Sequence, residues 1–302
     1  MLNELYQQLD PVAFSLGPLV VRWYGIAYIA GFICAGAIIA STARRWRIRF
    51  DVDALLNIIL CVIVGVIVGA RLGYVLFYGN GEYLRDPLSV LAFNQGGMSF
   101  HGGLIGALVA GIVAARITGV PYLTLADLGC IAAPIGLFFG RCANFVNGEL
   151  WGATTTLPWG VSFGGAAGTM LRHPTQLYEA LLEGVLLFAI LFALSRKNPP
   201  RPQGTFLGVF LIVYSLARFA VEFVRQPDAQ LGYLWGGWLT MGQVLSAPLV
   251  IAGIAVLAFS VARKLPQTGL PDNGLPAETV DVADTADAGT TPESVKTEGK
   301  ED

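Results

Sequence analysis

Apolar residues run along this chain in seven stretches long enough to cross a bilayer, near residues 19–41, 54–77, 98–115, 123–143, 177–195, 204–224 and 240–262. A hydrocarbon core about 30 Å thick takes roughly 20 predominantly apolar residues in a helix. The pattern predicts an all-α, polytopic integral membrane protein with seven transmembrane helices. A polar, aromatic loop separates the sixth stretch from the seventh. Gly65, Gly69 and Gly73 recur at every fourth position, on one helix face, where they permit close helix packing in lipid. "TLAD" at Thr124–Asp127 reads as a capping box opening the fourth helix.

The polar segments between these stretches set an orientation, because cytoplasmic loops carry the excess of Lys and Arg. The first loop holds Arg44, Arg45, Arg47 and Arg49, the third Arg116, and the fifth Arg196, Lys197 and Arg201; Arg263 and Lys264 close the last helix. These alternate loops share one side, which puts the N-terminus outside and the C-terminus in the cytoplasm. The segment Gly152–Arg172, rich in Gly and Thr, is long enough for a small outer cap between helices four and five.

Composition excludes an ordinary soluble domain: 54% of residues are hydrophobic, 13% are charged, and the mean hydropathy is +0.61. The formal charge of −2 conceals an asymmetry, since residues 265–302 hold nine acidic residues against Lys296 and Lys300. Such a tail, without a single aromatic, cannot bury enough apolar surface to offset its ordering entropy. The expected organisation is a transmembrane catalytic domain over 1–264 and an acidic, disordered cytoplasmic tail over 265–302. The N-terminal "MLNELYQQLD" lacks the basic region of a cleavable signal peptide, so the first apolar stretch is expected to stay as an anchor.

With the topology set, unusual polar residues gather at the outer ends of the helices. Arg22 and Tyr24 open helix one, Arg71 and Tyr74 lie near the outer end of helix two, His101 starts helix three, and Arg141 closes helix four. On helix six, Tyr214, Arg218, Glu222 and Arg225 follow one another by four, four and three positions, hence on one face. Arg218 lies on the order of 20 Å into its helix at 1.5 Å per residue. An arginine at that depth costs a few kcal/mol unless it is paired or faces a wet cavity. Two readings stand side by side: single arginines anchoring at the interface, or several guanidiniums converging as a fork-shaped site for a lipid phosphate.

His101 sits in "MSFHGGLIG", where an imidazole can take a proton from a thiol near neutral pH; the alternative is a helix-end anchor. His173 precedes a proline at a loop-to-helix boundary, which favours a structural role. There is no HExxH, Cys-x-x-Cys, P-loop or G-x-S-x-G, so neither metal, nucleotide nor other cofactor is implied. Cys34, Cys61, Cys130 and Cys142 read as small hydrophobes.

"GRCANFVNGELWG" from Gly140 resembles the signature of the bacterial prolipoprotein diacylglyceryl transferase family. "VRWYG" at Val21, "SFHGGLIG" at Ser99, "RHPTQLYEA" at Arg172 and "RFAVEFVRQPDAQLG" at Arg218 are similar to further blocks of that family in the same order. The resemblance covers roughly residues 1–262. It implies an enzyme of the bacterial cytoplasmic (inner) membrane, with its active site toward the periplasmic or outer leaflet. The implied reaction moves the diacylglyceryl group of phosphatidylglycerol onto the lipobox cysteine of a preprolipoprotein signal peptide, releasing glycerol phosphate. Arg141 then matches the phosphatidylglycerol-binding arginine, and His101, Asn144, Glu149, Tyr24, Tyr214, Arg218 and Glu222 match positions the family uses. Expected partners are these substrates and membrane lipids, with no nucleic acid. The chemistry assigns Arg141 and Arg218 to the phosphate and His101 to the thiol proton, with Asn144 and Glu149 ordering the loop after helix four. A transporter or a non-catalytic lipid-binding protein with an outer-leaflet phosphate site are the alternatives.

Overall fold

In a computed structural model of the chain, which describes residues 1–17, 19–78, 83, 86–91, 99–198, 200–227, 232–234 and 236–270, a short helix α1 (Leu2–Tyr6) leads into an antiparallel hairpin. Its strands are β1 (Val12–Leu16) and β2 (Leu19–Arg22). Long helices follow: α2 (Trp23–Arg45), α3 (Val52–Tyr78), α4 (Phe100–Thr118), α5 (Tyr122–Asn147), α6 (Thr175–Ser195), α7 (Thr205–Glu222) and α8 (Met241–Arg263). Six of these, all but α4, are long and apolar enough to cross a membrane; the apolar part of α4, Gly102–Thr118, is shorter. The hairpin corrects the expected all-helical start, since residues 19–22 pair as a strand and the first long helix begins only at Trp23. Short strands of β-branched and apolar residues are indistinguishable by hydropathy from the head of a span.

The outward faces of α2 and α3 are greasy: Ile29, Phe32 and Ile33, like Leu56 and Leu60, are exposed. That arrangement suits lipid, which is as apolar as the side chains, so helices are held by close contact and polar bonds instead. The glycine face of α3 supplies the contact. A Cβ on Gly69 or on Gly73 would lie 2.7 Å from the Cα of Gly106 or Gly102 on α4. Ser99 caps α4 by accepting the Gly102 N–H at 3.3 Å, and its own N–H donates to Ala70 O at 2.8 Å.

A buried core lies at the end of the bundle that carries the basic loops, where Ala43, Trp46 and Ile48 meet Leu128, Ile131, Leu187, Leu191 and Phe206. Trp46 donates its indole N–H to Ser195 O at 3.0 Å. The capping box expected at Thr124 is absent: α5 starts earlier, at Tyr122, and the Thr124 hydroxyl has no partner among the described residues. Asp127 caps another helix instead, accepting the N–H of Gly204 at 2.8 Å and of Leu207 at 2.9 Å at the start of α7. Gln267 adds a 2.6 Å bond to the same carboxylate. The compact unit therefore runs Met1–Leu270, with Leu265 and Pro266 carbonyls accepting from Gln203. Of the tail expected over 265–302, residues 271–302 lie outside the described residues.

At the opposite end, the chain between α5 and α6 folds over the helix ends. Thr154 and Val161 both bridge to Arg172, and Val161 is fully buried. The N-terminal α1 docks on this segment through bonds from Ser162 N to Asn3 at 2.9 Å and from Gln7 to Ser162 O at 2.7 Å. Tyr6 packs edge-on between Phe145 and Phe163, at 5.2 and 4.9 Å between ring centroids.

Candidate active site

The end of α5, the first half of α6 and the last turns of α7 enclose a cluster of charges. Glu179 and Glu183, four positions apart on α6, are both fully buried, and Arg141 and Arg218 are each 16% exposed. Arg141 Nε lies 2.9 Å from Glu179 Oε2, and its Nη2 donates to Glu183 Oε2 at 3.2 Å. Arg218 forks between Glu179 and Glu222. Arg225, just beyond α7, reaches Glu179 at 3.3 Å and Glu222 at 3.8 Å. Thr240, the residue capping α8, donates its hydroxyl to Glu222 at 2.6 Å. Ionised, the three arginines and three glutamates balance, which is what permits so much charge among apolar helices.

Local structure explains the placement. The helix α6 widens into a π segment over Ala180–Leu186, between and around the two glutamates. Such bulges re-aim side chains and concentrate at functional sites. Within it, Gly184 meets Phe138 of α5 so closely that a Cβ would stand 2.8 Å from the Phe138 Cβ.

Next to the cluster, the chain reverses sharply after α5, with Gly148 and Leu150 both at positive φ, 67° and 59°. The reversal turns Glu149 back over its own helix. Its carboxylate accepts from Asn144 at 3.1 Å and Asn147 at 3.3 Å, its N–H donates to Asn144 O at 2.9 Å, and its carbonyl accepts the Gln176 amide. Tyr24 on α2, bonded to Tyr28 at 3.1 Å, lies close enough to feel the charges of both Glu149 and Arg141. Tyr214 on α7, stacked on Phe210, feels Arg141, Glu183 and Arg218 in the same way.

Of the residues expected at the site, Tyr24, Arg141, Asn144, Glu149, Tyr214, Arg218 and Glu222 come together. His101 lies in the first turn of α4, and its side chain is outside the described residues. Arg71 is buried, and among its partners are Val90 O and Ser89 O, to which it donates at 2.7 Å each. His173 belongs to the cap, bonded to Tyr178 at 3.2 Å, with Trp159 donating to the same hydroxyl at 2.7 Å. Glu179 and Glu183 were not singled out from the sequence. The available signal was two acids one turn apart inside an apolar span, a placement expensive enough to mark function by itself.

The profile of the prolipoprotein diacylglyceryl transferase family matches residues 11–259. The chain belongs to that family. Relatives named phosphatidylglycerol--prolipoprotein diacylglyceryl transferase include one from Methylocella silvestris, 48% identical over 264 residues, covering 86% of this chain and 96% of the relative. One from Solidesulfovibrio magneticus is 50% identical over 258 residues, covering 84% and 96%, and one from Geobacter sulfurreducens is 47% identical over 260 residues, covering 86% and 98%. The charged cluster lies wholly within the matched region of this transferase family member.

Proposed function

We propose that this protein transfers the diacylglyceryl group of phosphatidylglycerol to the thiol of the lipobox cysteine in a preprolipoprotein. The family and the names of its relatives point to the reaction. The observation that supports particular residues is that, among the described residues, Arg141 pairs through Nε and Nη2, and Nη1 and the outer edge of the fork are read as the place for a further anion. In the reaction the thiolate sulfur forms a bond to the glyceryl carbon as that carbon's bond to phosphate oxygen breaks. Glycerol phosphate departs with the electron pair, and the thiol proton goes to a base, assigned to His101.

Arg141 and Arg218 neutralise the charge that grows on the departing phosphate. Glu179 holds both guanidiniums in fixed orientation, so no reorganisation is needed at the moment of bond breaking. Glu149 and Asn144 fix the wall of the site beside Tyr24. The nucleophile comes from the substrate, and no cysteine of the protein takes part.

The same reading makes α4 a seventh span and sets the charged cluster at the outer, periplasmic leaflet of the inner membrane. Its support is the separation of the ends: the arginine-rich first and fifth loops meet at Arg45 and Ser195, away from the cap. The deciding experiment incubates the purified protein with phosphatidylglycerol and a lipobox peptide. Lipidated peptide and free glycerol phosphate in equal amounts are expected; a protein that binds the lipid and yields neither product is a binding protein or transporter.

A further inference from the structure

We infer that Glu183 is a positioning residue of variable charge, which steers the fork of Arg141 as an anion and takes up a proton on its unpaired oxygen when the substrate phosphate docks. The inference rests on reading Arg141 as the phosphate clamp.

The three acids of the cluster are held unequally. Glu179 meets Arg141, Arg218 and Arg225; Glu222 meets Arg218, Arg225 and the Thr240 hydroxyl. Among the described residues Glu183 has a single ion pair, with Arg141 at 3.2 Å to Oε2. Its Oε1 is buried and has no hydrogen-bond partner among the described residues. The groups facing it are Arg141 from α5, Glu179 from its own helix, and Arg218 and Tyr214 from α7. A buried carboxylate oxygen left without a donor is costly, which calls for an explanation.

Charge balance gives one. With all three acids ionised, the cluster is neutral and has no net attraction for an anion. A phosphodiester carries one negative charge, and on the open edge of Arg141 it shares Nη2 with Glu183. Two anions on one guanidinium nitrogen repel strongly in apolar surroundings. A proton on Glu183 Oε1 removes the repulsion and leaves the cluster with one positive charge, matched to the phosphodiester. Glu179 and Glu222 are less suited to this, because each meets two or three buried arginines and neutralising either weakens several ion pairs at once.

Phosphatidylglycerol binding is then coupled to proton uptake, so the wild-type KM rises with pH while kcat moves less. The test compares Glu183→Gln, which keeps shape and mimics the protonated acid, with wild type, in lipidation assays between about pH 6 and 8. The expected result is a KM for phosphatidylglycerol roughly threefold or more below wild type at the alkaline end, and no longer dependent on pH. Glu183→Leu removes the contact with Arg141 and is expected to lower kcat, so that a loss of positioning is seen separately from a loss of charge. A KM raised severalfold in Glu183→Gln overturns the proposal, because the carboxylate charge would then assist binding. An unchanged KM with an unchanged pH profile in a folded, active variant overturns it equally. Failure of the clamp itself shows elsewhere, as wild-type turnover in Arg141→Lys.

Discussion

Arg141 Nε lies 2.9 Å from Glu179 Oε2, and through that carboxylate the end of α5 is tied to Arg218 of α7 and to Arg225 beyond it. One fully buried acid thus serves three guanidiniums. Removing one partner of a buried ionic network costs about 3–5 kcal/mol, because the remaining charges stay buried and uncompensated. Glu179→Ala is expected to lower the thermal unfolding temperature of the purified protein strongly, and to do so more than any single arginine replacement in the cluster. A Glu179→Ala protein that unfolds at the wild-type temperature in the same detergent would show that the network contributes no stability.

At Arg141 the geometry separates charge from shape. The guanidinium pairs through Nε with Glu179 and through Nη2 with Glu183, and in the proposed reading it offers its remaining edge to phosphate. Lysine has one nitrogen and cannot make both pairs while offering a bidentate edge. Arg141→Lys is expected to lower turnover by well over tenfold, about 1.4 kcal/mol or more of transition-state stabilisation. Lipidation of a lipobox peptide measures the first effect, and thermal unfolding checks that the variant still folds. Wild-type turnover would show that a bare positive charge suffices.

Much of this arrangement could be read before the structure, and the omissions have physical reasons. Hydropathy gives the depth of a residue along its helix, and periodicity gives the face. Those two quantities placed Arg141, Arg218, Glu222 and Tyr24 at one level, and the glycine face of α3 opposite a neighbour. They do not give the neighbour's identity, so the bonds of Arg71 to the carbonyls of Ser89 and Val90 could not be read from its depth. A cap supplied from another helix is equally silent in local sequence. Asp127 reads as part of its own helix start, but its acceptors serve Gly204 and Leu207. Thr240 and Gln243 form a true capping box on α8, which the local T-x-x-Q spacing does display.

His173 makes the cap sensitive to acid. Its imidazole bonds to the Tyr178 hydroxyl at 3.2 Å, and partial burial holds its pKa below the ordinary value near 6.5. The folded cap therefore binds fewer protons than the unfolded chain between the lowered pKa and about 6.5. The contribution is complete above about pH 6.5 and is lost as pH falls through the folded value. Amide protection factors in residues 151–173, taken relative to the intrinsic exchange rate at each pH, are expected to fall on acidification through that window, and His173→Gln is expected to remove most of the change. An identical pH dependence in the variant would assign the effect to another group.

Residues 265–270 make the last prediction, because they are polar chain that nevertheless packs. Gln267 donates to buried Asp127 at 2.6 Å, Gln203 donates to Pro266 O at 2.7 Å, and Leu270 N donates to Arg49 O at 3.2 Å. These bonds tie the chain after α8 to Asp127 near the start of α5, to the loop before α7 and to the loop after α2. Truncation after Leu270 breaks none of them, so unfolding temperature and turnover are expected to match the full chain. Truncation after Lys264 removes all three and leaves Asp127, among the described residues, with only backbone donors, at a cost of about 1–3 kcal/mol for the one lost bond to a carboxylate. Turnover near room temperature should survive, since these residues lie at the end of the bundle away from Arg141, and the loss should appear as a lower unfolding temperature. Equal unfolding temperatures for the two truncated proteins would mean that the segment rests on the bundle without stabilising it.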